Sequence, residues 1–277
     1  MKLFIFTLNW NGADKLKNLY PNLINNLSDL DYTWWIKDNG SIDESLQVIS
    51  SFNNDRVKVL SCEHNSDPFA LGMNRLFKEA NPEDEDIILL LNNDIVFNDN
   101  NSIKNMLKLI DNNKVGVVGA RLLYPNSDLL QHAGVIFHSA NRLPVHFKAK
   151  AKSDRYDKLN REFQAVTGAV WMTKAAYYRN IAFNEMSQLH GLDESYVWMY
   201  EDIDACLNIK YVQKKKVVYC GNTSIFHEES SSLKKNPMNR IYLNHNINTF
   251  RRKWHNVYQV DDFSYLNNPN HLIFNPK

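Results

Sequence analysis

The sequence predicts an α/β fold in which helices flank a mostly parallel central sheet. Short apolar runs alternate with stretches of helical apolar spacing through the first 120 residues, which is typical of strand–helix–strand units. The chain has 277 residues, of which 44% are hydrophobic and 23% charged, so it is long enough for one large domain. We therefore expect one principal core, followed by a C-terminal helical and irregular extension.

Five strands and four helices are predicted in this first part of the chain. The strands are Lys2–Leu8, Thr33–Lys37, Val57–Ser61, Ile87–Leu91 and Val115–Val118. The helices are Ala13–Leu27, Asp43–Phe52, Phe69–Glu79 and Ser102–Asn112. Short connections force right-handed crossovers and bring the carboxyl ends of the strands to one edge. Ligands of open α/β sheets bind at that edge.

The rest of the chain is less regular. The later strands predicted are Ala165–Met172, Val217–Cys220 and Ser224–Phe226, and a helix is predicted to begin at Thr173–Ala175. Residues 124–161 carry three histidines and predict a hairpin and a loop beside the ligand-binding edge of the sheet. After His227 the chain is basic and aromatic, which indicates a helix, and residues 261–277 are rich in Asn and Pro.

Composition excludes several classes of protein. The formal net charge of +1 gives no general reason to expect a nucleic-acid partner. No apolar run approaches the roughly 18 to 20 residues that span a bilayer, and the N-terminus lacks the pattern of a signal peptide. The three cysteines are an odd set without metal-ligand spacing, which favours a reducing compartment. We therefore expect a cytoplasmic protein.

Polar residues follow four consecutive predicted strands just past the end of each strand. The clusters are Asn9–Gly12, Asp38–Ser41, Glu63–Asp67 and Asn92–Asp94. One such cluster is typical of an ordinary turn, because Asn and Asp favour turns locally. Four clusters at one edge of a sheet indicate a ligand site.

A metal ligand is predicted where the strand Ile87–Leu91 runs into Asn92, Asn93 and Asp94. Mg²⁺ and Mn²⁺ prefer oxygen ligands and are commonly held by one or two carboxylates plus substrate phosphates. Asp94 offers such a carboxylate, and a neutral imidazole from His227 can complete the shell. An Asx turn and a structural histidine are the alternatives, and the residues alone leave both open.

A catalytic base is predicted among three closely spaced carboxylates, Glu201, Asp202 and Asp204. If they open a helix that runs to Lys210, the helix dipole keeps a carboxylate ionised and able to accept a proton. Acidic residues also decorate helix N-termini for purely structural reasons. The sequence leaves this alternative open as well.

These motifs occur in a fixed order from Leu3 to about Ser231. The segments are Thr7–Gly12, Lys37–Asp43, Glu63–Asn65, Gly72–Asn74, Leu91–Asp94, Gly119–Pro125, Gln131–Gly134, Thr167–Ala169, Gly191–Glu194 and Tyr200–Asp204, with His227 and Ser231 after them. In this order they resemble glycosyltransferase family 2, the inverting enzymes of the GT-A (Rossmann-like) fold, and in particular its rhamnosyltransferase-like branch. Their order and spacing are more specific than any single motif.

The resemblance implies a role for each matching residue. Donor contacts are implied for Asn9, Asn11, Asp38, Asn65, Asn74, Asn92 and Asn93, with Asp38 on the nucleoside base. Asp94 and His227 are implied to hold Mn²⁺ or Mg²⁺ against the donor diphosphate. Asp202 is implied to be the general base that takes the proton of the acceptor hydroxyl, with Glu201 as its rival. Transfer would then invert the anomeric configuration in one displacement.

The implied partners are a UDP- or dTDP-linked sugar as donor and a glycan, glycolipid or glycoprotein as acceptor. The chain departs from the family at the first acidic position of the DXD metal motif, which is Asn92. Since an amide oxygen is a weaker ligand than a carboxylate, the chain can also be interpreted as a degenerate transferase that binds sugar nucleotide or glycan as a scaffold. Nucleotidyltransferases and nicotinamide oxidoreductases fit less well, because no glycine-rich loop follows the first strand.

The sequence predicts a transferase domain over residues 1–231 and an extension over residues 232–277. The basic and aromatic extension suits acceptor binding, association of two copies of the chain, or peripheral contact with the inner membrane face. A solvated helix face is the plainer interpretation of the same residues.

Overall fold

The computed structural model describes residues 1–65, 67–228, 238–261 and 273–275. Strands β1–β14 in these ranges are Leu3–Asn9, Tyr32–Asp38, Val57–Ser61, Ile87–Leu91, Ile95–Phe97, Val115–Leu123, Leu130–His132, Val135–Phe137, Pro144–His146, Arg161–Phe163, Val170–Lys174, Phe183–Asn184, Leu189–His190 and Lys216–His227. Helices α1–α7 are Ala13–Asn26, Ser45–Ser51, Phe69–Ala80, Ser102–Ile110, Ala175–Arg179, Glu201–Leu207 and Asn239–Trp254.

The described strands form one ten-stranded sheet and two small two-stranded ones. Eight strands of the large sheet follow the order β10-β14-β6-β11-β4-β1-β2-β3, while β5 pairs with β14 and β7 with β6. Strands β4, β1, β2 and β3 are parallel to one another. Strand β11 lies antiparallel between β4 and β6. The predicted α/β fold is confirmed.

The core has two layers, one on each face of the sheet. Strand β1 shows the alternation: Leu3 and Ile5 point to one layer, and Phe4 and Phe6 to the other. Helices α1, α2 and α4 cover the first layer, and α3, α5, α6 and α7 cover the second. A central strand covered on both faces is apolar along its length, and β4 is buried at all five of its residues.

Most early elements match the predicted bounds within one or two residues, whereas two later ones differ. The predicted strand from Ala165 begins only at Val170, because the residues before it form the turn that leads to the site. The two short strands predicted at Val217–Cys220 and Ser224–Phe226 form one strand, β14, with a register shift between Cys220 and Ile225. The hydroxyl of Thr223 bridges this irregularity by accepting a hydrogen bond from the backbone N–H of Arg121 at 2.8 Å.

The described part of the C-terminal extension packs on the second layer of the core. Phe250, Trp254 and Tyr258 belong to that layer, and the rings of Phe137 and Tyr258 stack with their centroids 4.2 Å apart. The predicted boundary at Ser231 lies outside the described residues, so the division into two domains stays a prediction. None of the described helices has both the length and the apolar character needed to cross a membrane.

Candidate active site

Side chains at the carboxyl ends of β1, β2 and β4 form one hydrogen-bonded network. Asn9 donates from Nδ2 to Oδ1 of Asp38 at 3.0 Å and accepts from Nδ2 of Asn93 at 2.9 Å. Ser41 donates its hydroxyl to Asp38 at 2.7 Å and accepts the backbone N–H of Asn11 at 2.8 Å. The predicted gathering of Asn9, Asn11, Asp38 and Asn93 at one edge is therefore present in the structure.

Asn65 joins this edge through a neighbouring asparagine. Asn39 donates from Nδ2 to Oδ1 of Asn65 and to the carbonyl of Asp67. The Asp67 carboxylate is paired with Arg75 at 3.0 Å and with the buried ammonium of Lys37 at 3.5 Å. These pairs fix the loop that carries Asn65, since a buried charge requires a partner.

Asn74 lies apart from the other predicted donor residues. Its fully buried amide donates to the carbonyl of Leu192 and to Glu194, each at 2.8 Å, and accepts the hydroxyl of Tyr178. It therefore ties helix α3 to the 191–194 segment. No hydrogen bond links its side chain to the network around Asp38 among the described residues, so its role in donor binding stays a prediction.

The predicted metal ligands Asp94 and His227 face each other. Nε2 of His227 lies 3.2 Å from Oδ1 of Asp94 and 3.4 Å from Nδ2 of Asn92. The antiparallel pairing of β14 with β5 sets His227 opposite Ile95, next to Asp94. The other carboxylate oxygen of Asp94 lies 3.7 Å from the ammonium of Lys15 on α1.

Gln131 fixes which nitrogen of His227 faces Asp94. Its side-chain oxygen lies 2.6 Å from Nδ1 of His227, and its Nε2 donates to the His227 carbonyl at 3.3 Å. With the amide oriented in this way, Gln131 accepts a hydrogen bond from Nδ1, so Nε2 is the nitrogen turned toward Asp94. A partner of this kind is typical of histidines that bind metals.

The donor set fits a hard divalent cation that is also held by a substrate. It comprises one carboxylate, one neutral imidazole nitrogen and the amide oxygen of Asn92, if that side chain turns. No group of three or more His, Cys, Asp or Glu side chains that could hold a metal exists within the described residues. We therefore expect affinity for the ion to depend on the donor diphosphate.

Replacing Gln131 with Leu is expected to weaken Mn²⁺ binding by about 10- to 100-fold, the usual effect of losing the partner of a metal-binding histidine. Without Gln131, the imidazole of His227 is free to rotate and to change tautomer. Calorimetric titration of Mn²⁺ in the presence of UDP measures the effect. Gln188→Leu, at an exposed position, is the matched control. Equal Mn²⁺ affinity in the two variants would contradict the orienting role.

Asp202 and Glu201 occupy different environments at the start of α6. Asp202 is partly exposed and accepts the backbone N–H of Gly168 at 2.7 Å. Burial raises its pKa, and the N–H groups of Gly168 and Ile203 oppose that rise. Glu201 is buried, and burial together with the charge of Asp202 raises its pKa to about 8. The raised pKa of Glu201 favours its protonated form at neutral pH, whereas Asp202 is the partly exposed carboxyl of the two.

Replacing Glu201 with Gln is expected to raise the melting temperature above about pH 8 and to leave it unchanged near pH ~5. The folded protein binds this proton more tightly than the unfolded chain does, so the stability it contributes is lost as pH rises through the folded pKa. Thermal unfolding across that range measures the effect. Glu185→Gln, at an exposed acid, is the control, and parallel curves for wild type and Glu201→Gln would contradict the raised pKa.

Gly168 and Ala169 link the segment that carries Asn92 and Asp94 to the predicted base, Asp202. Gly168 donates its N–H to Asp202, and the carbonyl of the next residue, Ala169, accepts the N–H of Asn92 at 2.9 Å. A side chain at position 168 would place its Cβ 3.0 Å from Cβ of Asp202. That separation is tighter than an ordinary Cβ contact, so a larger residue at position 168 would push against Asp202, and glycine permits the close approach.

The third carboxylate of the motif, Asp204, has a structural role. It is buried and accepts hydrogen bonds from Tyr196 at 2.9 Å and from Nε1 of Trp254 at 2.6 Å. Lys253 pairs with it at 2.5 Å. Asp204 therefore anchors helix α7 on helix α6. Helix α6 ends at Leu207 and continues into a π-helical turn.

Comparison with known proteins supports a family for this fold. The family model of Glycosyl transferase family 2 matches residues 4–182, more than half of the chain. An uncharacterized protein of Sinorhizobium fredii (strain NBRC 101917 / NGR234), y4gI, is 26% identical over 176 residues. That match covers 61% of this chain and only 18% of the relative, so the chain spans less than a fifth of that protein.

Three solved structures share the fold at low sequence identity. Residues 1–349 of S. aureus TarS with UDP-GlcNAc match with a TM-score of 0.56 and 14% identity, over 85% of this chain and 61% of that one. The mannosyltransferase PcManGT of Pyrobaculum calidifontis with GDP-Man and Mn²⁺ matches with a TM-score of 0.58 and 11% identity, over 91% of this chain and 64% of that one. GalNAc-T7 with UDP, GalNAc and Mn²⁺ matches with a TM-score of 0.61 and 12% identity, over 96% of this chain and 53% of that one. At these identities the likeness supports the GT-A fold alone. Together with the family match, it shows that the chain belongs to glycosyl transferase family 2.

Proposed function

We propose that the protein is a metal-dependent, inverting glycosyltransferase that moves a sugar from a nucleoside diphosphate donor to an acceptor hydroxyl. The observation that carries this proposal is the link through Gly168 and Ala169, which joins Asp202 to the strand end that bears Asn92 and Asp94. A base and a diphosphate site must lie close together, because the acceptor oxygen attacks the carbon that the diphosphate leaves.

On the donor side, the nucleoside would bind at the edge formed by Asn9, Asn11, Asp38 and Asn65. The side-chain oxygens of Asp38 are held by Asn9 and by both the hydroxyl and the backbone N–H of Ser41. A pocket built from such fixed groups is preorganised for one ligand. UDP- and dTDP-linked sugars are the proposed donors.

Asp94 and His227 would hold Mn²⁺ or Mg²⁺ against the diphosphate. The bound cation supplies positive charge where negative charge develops on the leaving diphosphate. Lys15, beside Asp94, adds a further positive charge near the same place. The Mn²⁺ found with PcManGT and GalNAc-T7 supports this part of the proposal by analogy.

On the acceptor side, the proposal assigns proton removal to Asp202. Its carboxylate is accessible in part and is oriented by Gly168. The half-buried Trp198, Met199 and Tyr200 lie shortly before Asp202 in the chain, ahead of Glu201, and offer apolar surface of the kind that packs against a sugar ring. The acceptor class proposed is a growing glycan, glycolipid or glycoprotein, and the proposed location is the cytoplasm.

Thermal unfolding with a panel of nucleotides tests the donor side. We expect UDP or dTDP to raise the melting temperature, and to raise it further with Mn²⁺ than with EDTA, because a ligand that binds only the folded state stabilises it. AMP, which lacks a diphosphate, is the control. Equal shifts for AMP and UDP, or no shift for any nucleoside diphosphate, would contradict the proposed donor class.

A further inference from the structure

The three residues directly before Glu201, and so two to four positions before the predicted base Asp202, have unusual backbone angles. Trp198, Met199 and Tyr200 all have positive φ, at 53°, 103° and 78°. Residues with side chains rarely adopt such angles, and they persist only where the surrounding structure enforces them. Contacts from outside residues 198–200 must therefore hold this segment in its conformation.

Asn246 of helix α7 makes the contacts that hold this segment. Three carbonyls share the two N–H donors of its Nδ2, those of Val197 at 2.8 Å, Trp198 at 3.3 Å and Met199 at 3.0 Å. Its Oδ1 accepts the N–H of Val197 at 3.0 Å. The side chain is fully buried, so these bonds do not compete with water.

Helix α7 also contacts residues on both sides of Asp202. Trp254 and Lys253 both contact Asp204, and the rings of Phe250 and Tyr200 pack with centroids 5.3 Å apart. The helix is therefore attached both before and after the base. A change in the φ of Tyr200 would re-aim the first turn of α6 and move Asp202 away from Gly168.

We propose that Asn246 is a positioning residue that holds Asp202 in its productive orientation by fixing the 198–200 segment. This inference rests on the proposed function only for its catalytic consequence. The C-terminal extension then has a specific role in the reaction, and acts through backbone carbonyls instead of touching the substrate.

The test compares Asn246→Ala with Asn248→Ala, an exposed asparagine on the same helix. Hydrogen–deuterium exchange followed by mass spectrometry is measured for both, together with hydrolysis of UDP-, dTDP- and GDP-linked sugars. In Asn246→Ala we expect faster exchange at residues 197–204 and unchanged exchange at β1 and β4. We also expect kcat to fall about 10- to 100-fold, as for a misplaced catalytic group, with an unchanged donor KM.

Other results would overturn the proposal. Unchanged exchange at residues 197–204 would show that Asn246 does not hold the segment, and faster exchange with normal kcat would show that the segment does not position the base. If Asn246→Ala does not fold, Asn246→Ser, which keeps one donor and one acceptor, takes its place with the same two readouts. A wild type that hydrolyses no donor would contradict the proposed function instead, and the exchange result would still decide the structural claim.

A second variant separates positioning from general stability. Glycine adopts positive φ without strain, so Met199→Gly lowers the need for an external restraint at that residue. We expect the loss of kcat caused by Asn246→Ala to be smaller in a Met199→Gly background. Purely additive losses would mean that the two residues act independently, which would overturn the proposal.

Discussion

Replacing Asp202 with Asn is expected to lower the turnover of the nucleotide sugar by about 10²- to 10⁴-fold, the usual contribution of a general base. The amide has the shape of the carboxylate and can still accept the N–H of Gly168, but it cannot take a proton. Steady-state release of the nucleoside diphosphate measures the loss. The dissociation constant of UDP is expected to stay unchanged, because Asp202 lies on the acceptor side.

Glu201→Gln is the matched control for this loss. Both variants replace a carboxyl with an amide in the same turn of α6, but Glu201 is buried and holds its proton up to about pH 8. We expect Glu201→Gln to keep most of the turnover at neutral pH. Normal turnover in Asp202→Asn together with a large loss in Glu201→Gln would show that Glu201, and not Asp202, is the base.

The second large effect is expected from Asp94→Asn, which should weaken both Mn²⁺ binding and Mn²⁺-dependent binding of UDP. Asp94 is the only carboxylate among the described residues that faces His227 within ion-pair distance, so its loss removes the charged member of the metal set. The effect should exceed the roughly 10- to 100-fold cost of changing an outer partner such as Gln131. Calorimetry with Mn²⁺ and UDP together measures it.

Asp128→Asn is the control, because it changes the net charge by the same amount as Asp94→Asn. Asp128 is exposed and pairs with Lys152 at 3.2 Å, so its removal changes the net charge of the protein by the same amount. We expect it to leave both affinities unchanged, since exposed pairs contribute little. Retained Mn²⁺-dependent UDP binding in Asp94→Asn would exclude Asp94 as the metal ligand.

The donor edge could be predicted from the sequence because its signals are local. Strands β1, β2 and β4 are apolar runs that end in Asn or Asp or lead directly into Asn, and the geometry of parallel strands brings those ends together. Asn9, Asp38 and Asn93 meet as expected. The residues alone left Asp94 and His227 as candidate metal ligands with structural alternatives, and the family resemblance implied the pair, since the two stand 133 positions apart and no local rule connects them.

The residues that orient the site could not be predicted in the same way. Gln131 stood within a recognised motif, but its role depends on a contact with His227 across 96 residues. Asn246 reaches Val197 across 49 residues, and nothing in the spacing of α7 distinguishes it from the exposed Asn248. Such contacts depend on packing, in particular on how Phe250 and Trp254 seat α7 against the core. The one available local signal was glycine at position 168, two residues before a buried strand.

The most direct test of the proposed reaction is release of nucleoside diphosphate from a panel of UDP-, dTDP- and GDP-linked sugars, measured for wild type and Asp202→Asn with Mn²⁺ or with EDTA. We predict that wild type releases one nucleoside diphosphate with Mn²⁺, and that either EDTA or the Asp202 substitution abolishes the release. Release that survives both EDTA and Asp202→Asn would contradict a metal-dependent transferase with Asp202 as its base.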